Sequence, residues 1–418
     1  MDEDASSSGR VRELPARLRA PGLAPWQQNL YVLWFGSLIV SASFSLVMPF
    51  LPLYLVQLGL RGDPSLWSGA VLAGAFLGTA VMSPVWGTLA DRFGQRAMLL
   101  RSGFSLALIY LLMGYAQTPL QLAVLRVLFG MMSGFIPAST ALVASNTPTQ
   151  ALGRALGALQ TGGAVGGVLG PLFGGVIAHL VGFRGAFTLS AAGLFLGATL
   201  AFLFVGERVQ AGPARGLGAL LTDLRGLLQS GSLRAAYGVL FLMQLGLMMA
   251  APVLPLVIAA RAGRASVLAV GLLFSLAGVA QVIGAPFTAR LGKRWSYAAV
   301  LAASLAAAGL LMLPQAFAGI GGLAAARLAF GVALAWATVS VNLIVARAAP
   351  EGHRGQAFGL LNTVTSLGSM AATLAGGFAG DLLGWSWAIV LSGGFFMVAA
   401  ALALWAMRAG RLPRVREA

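Results

Sequence analysis

Residues 87–96 read GTLADRFGQR, and they gather three charged side chains around Gly94 in a chain where only 9% of residues are charged. Long apolar runs flank this stretch on both sides. Of the 418 residues, 58% are hydrophobic, whereas a soluble globular protein is nearer half apolar and about a quarter charged. So few charges cannot cover a water-soluble surface, and the composition therefore predicts a protein embedded in lipid.

Apolar runs long enough to cross a membrane, which takes ~20 residues as a helix, recur along the whole chain. Residues within them do not alternate as the strands of a membrane β-barrel would. The pattern predicts an all-α integral membrane protein with twelve transmembrane helices, and GTLADRFGQR links the second helix to the third. We number these predicted spans 1 to 12 and place them at 29–57, 67–89, 97–116, 119–145, 152–181, 185–206, 234–260, 266–289, 296–315, 319–348, 353–383 and 385–408.

A long polar stretch after span 6 divides the chain into two sets of six spans. The N-terminal tail lacks the short apolar core of a signal peptide, and we expect it to be disordered. The predicted organisation is a cytoplasmic tail at 1–28, an N-terminal six-helix half at 29–206, a cytoplasmic linker at 207–233, a C-terminal six-helix half at 234–408 and a cytoplasmic tail at 409–418.

The placement of basic residues predicts the orientation of the chain. If both termini are cytoplasmic, the cytoplasmic segments hold 21 of the 27 Lys and Arg residues, and the opposite side holds four. This distribution follows the positive-inside rule, and it accounts for the net charge of +16 without a nucleic-acid partner. We expect a multi-pass protein of the cell membrane, which is the bacterial inner membrane if the chain is prokaryotic.

The two halves repeat each other with an offset near 202 residues. MPFLPLYL at 48–55 matches APVLPLVI at 251–258, and Gly175 falls on Gly377. Six helices repeated in the same orientation imply two pseudo-symmetric halves related by an axis along the membrane normal. Substrate sites of transporters lie near the middle of the membrane at such repeat interfaces.

The loop at 87–96 resembles the signature loop of the major facilitator superfamily, which reads G-x-L-a-D-r-x-G-r-k-x-x-l. Gln95 departs from it, because a basic residue is frequent at that position. GGAVGGVLGPLFGG at 162–175 is similar to the antiporter motif of twelve-span drug:proton antiporters, and LRVLFGMMSG at 125–134 resembles the family's arginine motif. The residues that match the signature loop are Gly87, Leu89, Asp91, Arg92, Gly94 and Arg96.

The resemblance implies the major facilitator fold and secondary active transport by alternating access. It also implies that the loop residues Gly87, Asp91, Arg92, Gly94 and Arg96 form a conformational switch. In that family Asp91 would face the start of span 11, near 352–356, when the cavity faces outward. An exposed helix N-terminus favours an anion by ~0.3–1 kcal/mol. The alternative is that the arginines only obey the positive-inside rule.

The matching loop of the second half lacks the acid. PFTARLGKRW at 286–295 keeps Arg290, Gly292 and Arg294, but Ala289 stands where the first half has Asp91. If topology were the only demand, arginines alone would serve in both loops. The acid in one half therefore predicts a one-sided latch.

Span 5 is rich in glycine at four-residue spacing, which lets helix backbones approach closely. Pro171 removes one backbone donor and permits a bend. In the antiporter family this helix lines the contact between the halves and limits leak, and plain close packing is the alternative explanation. The antiporter-motif residues are Gly162, Gly166, Gly170, Pro171, Gly174 and Gly175.

Arg126 and Arg327 lie about two turns inside spans 4 and 10 at equivalent repeat positions. Ionisable residues inside a membrane normally face a bundle interior or an aqueous cavity and mark function. We expect an electropositive cavity, and a structural arginine bonded to backbone carbonyls is the alternative. The candidate cavity residues are Arg126, Arg327, Phe44, Gln244, Trp336 and Asn342.

Proton coupling rests mainly on the resemblance, because none of the eleven acids lies in the middle of a span. The candidates for proton coupling are His179 and Asp381, which are repeat-equivalent and lie near the outer ends of spans 5 and 11. Histidine titrates near neutral pH, although a lone histidine at such a position is more often structural.

Three functions compete at this point. The first is a proton-coupled multidrug efflux antiporter for drugs or small amphipathic compounds, which the glycines of span 5 favour. The second is a facilitator-fold solute or metabolite transporter without proton antiport, for anionic substrates in particular, which the two arginines favour. The third is a membrane receptor or scaffold, which the short loops disfavour.

We expect no enzymatic activity, because the sequence shows no convincing nucleophile, paired carboxylates, metal-ligand cluster or phosphate-binding loop. No catalytic residue, cofactor or metal site is therefore predicted. The expected partners are a small-molecule substrate, protons as the coupling ion and membrane lipids, and the chain is expected to act as a monomer.

Overall fold

The computed structural model describes residues 11–12, 22–208, 229–349 and 354–412. It is a bundle of helices with one antiparallel pair of two-residue strands, Val11–Arg12 and Glu207–Arg208. Most of the predicted tails and of the predicted linker at 207–233 lies outside the described residues.

The first half contains spans 1 to 6, and we keep the span numbers for the observed helices. Their bounds are Pro25–Val47 and Leu51–Gln57 with a 3-10 turn at Met48–Phe50 for span 1, Pro64–Phe93 for span 2, Gln95–Gly114 for span 3, Pro119–Met132 and Phe135–Asn146 for span 4, and Thr149–Phe204 for spans 5 and 6 together. Gly182 breaks this last segment with φ 75° and ψ 173°, and it separates span 5 from span 6.

The second half contains spans 7 to 12. Their bounds are Gly231–Met249 and Leu254–Ala262 for span 7, Ser266–Gly284 after a 3-10 turn at Gly263–Ala265 for span 8, with a short helix Phe287–Arg294 following it, Tyr297–Leu310 and Met312–Phe317 for span 9, Ile320–Ala348 for span 10, Arg354–Leu383 for span 11 and Trp385–Arg408 for span 12.

Length and composition confirm the predicted class of protein. Within the described residues, ten helical segments are long and apolar enough to cross a membrane, and one of them is the joined pair of spans 5 and 6. Span 11, a helix of 30 residues, completes the set of twelve. The all-helical membrane architecture expected from the sequence is therefore correct.

Several spans are broken where the sequence suggested continuous helices. Span 1 and span 7 both break just before a proline, Pro52 and Pro255, within the repeated segments at 48–55 and 251–258. Proline cannot donate a backbone hydrogen bond and disrupts the preceding turn. The repeated prolines thus give each half a short helix at the same place in its first span.

Each half has its own buried core. In the first half it includes Leu72, Tyr110 and Leu122, and in the second it includes Leu240 and Phe396. The halves meet mainly through spans 2 and 11 and through spans 5 and 8. Each half is therefore organised around its own core, and these two helix pairs form the joint between the halves.

The joint lies toward one end of the bundle. We call the end that carries the start of span 1 and the end of span 12 the terminal face, and the other end the distal face. Near the distal face, Gly69 of span 2 packs on Gly377 of span 11. Toward the terminal face, a Cβ added at Gly157 or Gly359 would meet no atom within 4 Å. The halves are therefore in close contact at the distal face.

The orientation can be tested with single cysteines, because the chain has none of its own. Arg61 lies at the distal face and Gln150 at the terminal face, and both side chains are exposed. We expect a membrane-impermeant maleimide to label Arg61→Cys in intact cells and Gln150→Cys only after permeabilisation. Labelling of Gln150→Cys from outside would place the termini on the other side of the membrane.

Candidate functional site

The predicted switch loop turns at Gly94, between the end of span 2 and the start of span 3. Gly94 has φ 93°, a backbone conformation that favours glycine. A Cβ at this position would also lie 2.5 Å from Oε2 of Glu207. The turn therefore favours glycine, and a larger residue would also have to displace the carboxylate of Glu207.

Glu207 caps the start of span 3 from the end of span 6. Its Oε1 accepts a hydrogen bond from the backbone N–H of Gln95 at 2.6 Å, and its Oε2 accepts one from Arg96 at 3.2 Å. The side chain is buried, with 8% of its surface exposed. A carboxylate on two amides at a helix N-terminus gains from both hydrogen bonds and the helix dipole.

Sequence reasoning placed Glu207 in the linker and gave it no role. The signal that could have revealed it is the isolated acid directly after span 6, in a chain with eleven acids. Its partners lie more than a hundred residues away, so no local pattern connects them.

The arginines of the loop contact aromatic rings. The guanidinium of Arg92 lies 5.4 Å from the ring of Phe93, and that of Arg96 lies 5.7 Å from the ring of Phe202. Nη2 of Arg96 also donates to the carbonyl of Phe202 at 2.6 Å. The loop is thus fastened to span 6 of its own half.

The rest of the predicted switch is only partly visible. Gly87 is exposed, and a Cβ there would meet nothing within 4 Å. The side chain of Asp91 and residues 350–353, next to its expected partner, lie outside the described residues. The contact between Asp91 and span 11 stays a prediction.

A third basic residue, Arg101, holds the break in span 4. Its guanidinium lies 3.6 Å from the centre of the Trp86 ring and donates to the carbonyls of Met132 and Ser133 at 3.2 and 3.4 Å. Gly134 follows with φ 144°. Arg101 lies within span 3 and satisfies carbonyls that the broken helix leaves unpaired.

Arg126 is buried in the interior of the first half. It has no exposed surface, and its guanidinium lies 5.9 Å from the ring of Phe44 and 5.2 Å from that of Phe129. Nε and Nη1 have no hydrogen-bond partner. Aromatic faces attract the cation, but they leave these donors without the acceptors that buried N–H groups normally find.

Arg327 occupies the equivalent place in the second half. Its Nε donates to the carbonyl of Leu273 at 3.1 Å, and its guanidinium lies 4.7 Å from the ring of Phe274 and 5.9 Å from that of Phe330. The residue is 7% exposed. Each arginine therefore packs within its own half in this conformation, and their place in a shared cavity stays a prediction.

The remaining cavity candidates are scattered. Phe44 stacks on Phe129 and so lies beside Arg126. Gln244 is buried and donates to Ser369 of span 11 at 3.2 Å. Nε1 of Trp336 donates to the carbonyl of Gly284 at 3.0 Å. Asn342 is half-buried on span 10. The structure thus brings together Phe44 and Arg126, while Gln244 and Trp336 join helices within the second half.

The glycines of span 5 form a ridge against span 1. A Cβ at Gly170 would lie 2.6 Å from the carbonyl oxygen of Ala42, and one at Gly174 would lie 2.6 Å from that of Leu46. Gly162 and Gly166 face the carbonyls of Trp34 and Leu38 in the same way. Four glycines and four carbonyls, each set spaced by four residues, let the two helices touch along their length.

One glycine of the motif reaches the other half. A Cβ at Gly175 would lie 3.1 Å from Cα of Gly271 in span 8, and the carbonyl of Pro171 approaches the same glycine. The antiporter motif therefore serves two contacts, with its ridge inside the half and its last glycine across the joint.

The two proton-coupling candidates lie apart from the arginines. His179 and Asp381 are exposed near the distal ends of spans 5 and 11. Their part in proton transfer stays a prediction.

Three kinds of similarity accord with this geometry. A family model described as the Major Facilitator Superfamily matches residues 33–235 and again residues 236–418. The multidrug resistance protein MdtG of Enterobacter lignolyticus is 40% identical over 296 residues, which are 70% of this chain and 71% of that protein. MdtG of Salmonella arizonae is also 40% identical over 296 residues, with 70% and 73% covered.

Solved structures share the fold at low sequence identity. The nucleoside transporter NupG superposes with a TM-score of 0.75 at 12% identity, covering 92% of this chain and all of that one. An inward-facing, occupied bacterial homologue of the human lysosomal transporter Spinster gives 0.73 at 16% identity, covering 95% of this chain and all of the other.

We expect Glu207→Gln to loosen the start of span 3, because a neutral amide loses the charge that the helix N-terminus favours by ~0.3–1 kcal/mol. Hydrogen exchange of the amides at 95–98 should rise about two- to fivefold. Thr118→Ala is the matched control, since Thr118 caps span 4 by accepting from Gln121 and should affect only that helix. Equal exchange at 95–98 in parent and Glu207→Gln would contradict the capping role.

Proposed function

This chain belongs to the Major Facilitator Superfamily, and we propose that it exports drugs or small amphipathic compounds in exchange for protons. The observation that carries the proposal is 40% identity to MdtG multidrug resistance proteins over 70% of the chain. The chain is a secondary membrane transporter rather than an enzyme, so the proposal concerns its substrates, coupling and direction.

The glycine ridge of span 5 supports export by antiport. An exchanger must avoid conformations in which both faces are open, because these would leak protons. Contact of Gly175 with Gly271 closes the distal face along one side of the joint. With the termini in the cytoplasm, as the basic residues favour, the described conformation faces inward and is ready to receive substrate from the cytoplasm or inner leaflet.

The proposed switch works at the opposite face. When the cavity faces outward, the terminal-face ends of spans 2 and 11 would meet, and Asp91 would lie at the N-terminus of span 11. The turn at Gly94 and the cap from Glu207 fix the start of span 3 next to this loop, which supports the proposal. His179 and Asp381 remain the proposed groups for proton exchange, at the face where external protons would enter.

A second candidate function is transport of anionic substrates without proton antiport, and the two nitrogens of Arg126 that lack a hydrogen-bond partner, Nε and Nη1, favour it. A buried cation with two unpartnered nitrogens offers hydrogen bonds that a carboxylate or sulfonate would accept. Movement of span 4 during the cycle would be needed to bring the arginine to a cavity.

The test of export is drug resistance and dye efflux in a host that lacks its own pumps. We expect cells that express the chain to accumulate less of a fluorescent amphipathic dye, and an uncoupler to abolish the difference. Vesicles containing the purified protein should move dye only when a proton gradient is imposed. Dye movement that is unaffected by the gradient would support the second candidate function instead.

Arg126→Leu separates a transport role from a structural one. We expect transport of an anionic dye to fall about tenfold or more, since a hydrogen bond to a charged group contributes ~1.5–3 kcal/mol. Thermal stability should stay the same or rise, because leucine removes a buried charge with unpaired nitrogens. Arg126→Lys should rescue only in part, since lysine lacks the planar fork.

Arg327→Leu is the internal comparison, because Arg327 bonds a backbone carbonyl and its removal should lower stability more. Transport of a matched cationic dye should change little in either variant. If the parent prefers the cationic dye and Arg126→Leu is merely less stable, Arg126 is a structural residue.

A further inference from the structure

The distal face is closed by two glycine pairs that the repeat relates to each other. Gly69 of span 2 faces Gly377 of span 11, and Gly271 of span 8 faces Gly175 of span 5. The counterparts in the two pairs differ by the repeat offset of 202 residues. The same contact is therefore made twice, once on each side of the joint, and we call the four residues the glycine seal.

The glycine seal leaves no space for a side chain. A Cβ at Gly69 would lie 2.9 Å from Cα of Gly377, and a Cβ at Gly271 would lie 2.9 Å from Cα of Gly175. Real Cβ atoms do not approach other atoms so closely, so the backbones would have to separate. At Gly69 and Gly271, the distal face can therefore close in this way only with glycine.

Beside the first pair, polar groups join the two halves. Oδ1 of Asp63 accepts from the backbone N–H of Ser65 at 2.7 Å, which caps span 2, and Oδ2 accepts from Nε1 of Trp385 in the other half at 3.3 Å. Oγ of Ser65 hydrogen-bonds Asp63 and lies 3.2 Å from the carbonyl of Gly377, also in the other half.

Beside the second pair, the corresponding residues are apolar. The repeat places Ala265, Val267 and Phe183 where the first pair has Asp63, Ser65 and Trp385. Phe183 and Val267 pack against the cores of both halves. The seal is thus symmetric, while the polar contact beside it exists on one side only.

We propose that Asp63 and Trp385 form a distal clasp, which stabilises the closed distal face and breaks each time that face opens. Capping span 2 requires only the bond from Ser65, and asparagine or serine would serve as well. The bond from Trp385 crosses between the halves and cannot survive their separation. The clasp therefore stabilises the conformation with a closed distal face and not the one with an open distal face. Such a difference shifts a two-state equilibrium.

The clasp rests on the alternating access of the proposed function and adds a residue pair to it. Asp63 caps the start of span 2, and Asp91 lies near the other end of the same helix. In the second half, alanine stands at both corresponding positions, Ala265 and Ala289. Both acids that would bias the equilibrium therefore lie on one helix, at opposite faces of the membrane.

Distances between spin labels test the clasp without any substrate. Arg61→Cys and Leu382→Cys place labels on exposed residues of the two halves at the distal face, in a chain that has no other cysteine. Pulsed electron paramagnetic resonance in lipid nanodiscs then gives the populations of short and long distances. These correspond to the closed and open distal face.

Asp63→Asn keeps the cap of span 2 and removes the charge. Trp385→Phe keeps an aromatic side chain and removes the N–H that donates to Asp63. We expect each to raise the ratio of open to closed populations about tenfold or more, as loss of one charge-assisted hydrogen bond would. The double variant should show no more than the larger single effect, because both changes break the same bond.

Two matched controls separate the clasp from general damage. Trp387→Phe alters an exposed tryptophan that packs on Phe317 within its own half, and it should leave the distances unchanged. Gly69→Ala should move the population to the open form, whereas Gly394→Ala, where a Cβ meets nothing within 4 Å, should not.

Unchanged distances in both Asp63→Asn and Trp385→Phe, with a shift in Gly69→Ala, would overturn the clasp and leave the glycine seal. An equal shift in Trp387→Phe would overturn it as well. A lack of proton-driven export by the parent would reject the proposed function, and it would leave the distance measurements and the clasp intact.

Discussion

The bundle depends on helix backbones that touch, and they touch where side chains are missing. Lipid offers no hydrophobic driving force between helices, so close packing must hold them together. Two adjacent glycines of span 5 pack against two different helices. Gly174 packs on Leu46 within the half, and the next residue, Gly175, packs on Gly271 across the joint. The repeat does the same in span 11, where Gly376 approaches Met249 and Gly377 approaches Gly69. One turn of helix therefore both stiffens a half and closes the distal face.

Symmetry in the packing is combined with asymmetry in the charges. The glycine contacts recur in both halves, so closure of the joint is shared evenly between its two sides. Asp63 lies beside one glycine pair only, and its partner Trp385 belongs to the opposite half. Packing of glycine on glycine is short-ranged and is lost as soon as the backbones part. A charged group placed beside such a contact can change how often the contact forms without changing its geometry. The second glycine pair closes in the same way although Ala265 stands where the first pair has Asp63.

Local patterns in the sequence predicted the class of fold, the number of spans, the repeat and the close packing of span 5, because each depends on composition or on spacing along one helix. The sequence did not predict the break at Ser133–Gly134 or the role of Arg101, whose partners belong to another span. Glu207 escaped notice for the same reason, since the amides it caps precede it by more than a hundred residues. In the same way, no local pattern shows that tertiary packing places each buried arginine against aromatic rings in its own half; their place in a shared cavity stays a prediction. Contacts distant along the chain decide these features, and no periodicity records them.

The buried arginines show how a chain with few acids keeps cations inside a membrane. An ion pair would hold a guanidinium firmly, but a substrate anion would then have to displace the carboxylate before it could bind. Aromatic rings stabilise the cation through its face and leave the N–H groups at its edge available. Arg126 is in this condition, with Phe44 and Phe129 beside it and two nitrogens unpaired. Arg327 uses one N–H on a backbone carbonyl and is correspondingly less free. The repeat thus supplies two similar residues that differ in their hydrogen bonds, and on our second candidate function this difference favours the first half as the place where an anionic group would bind.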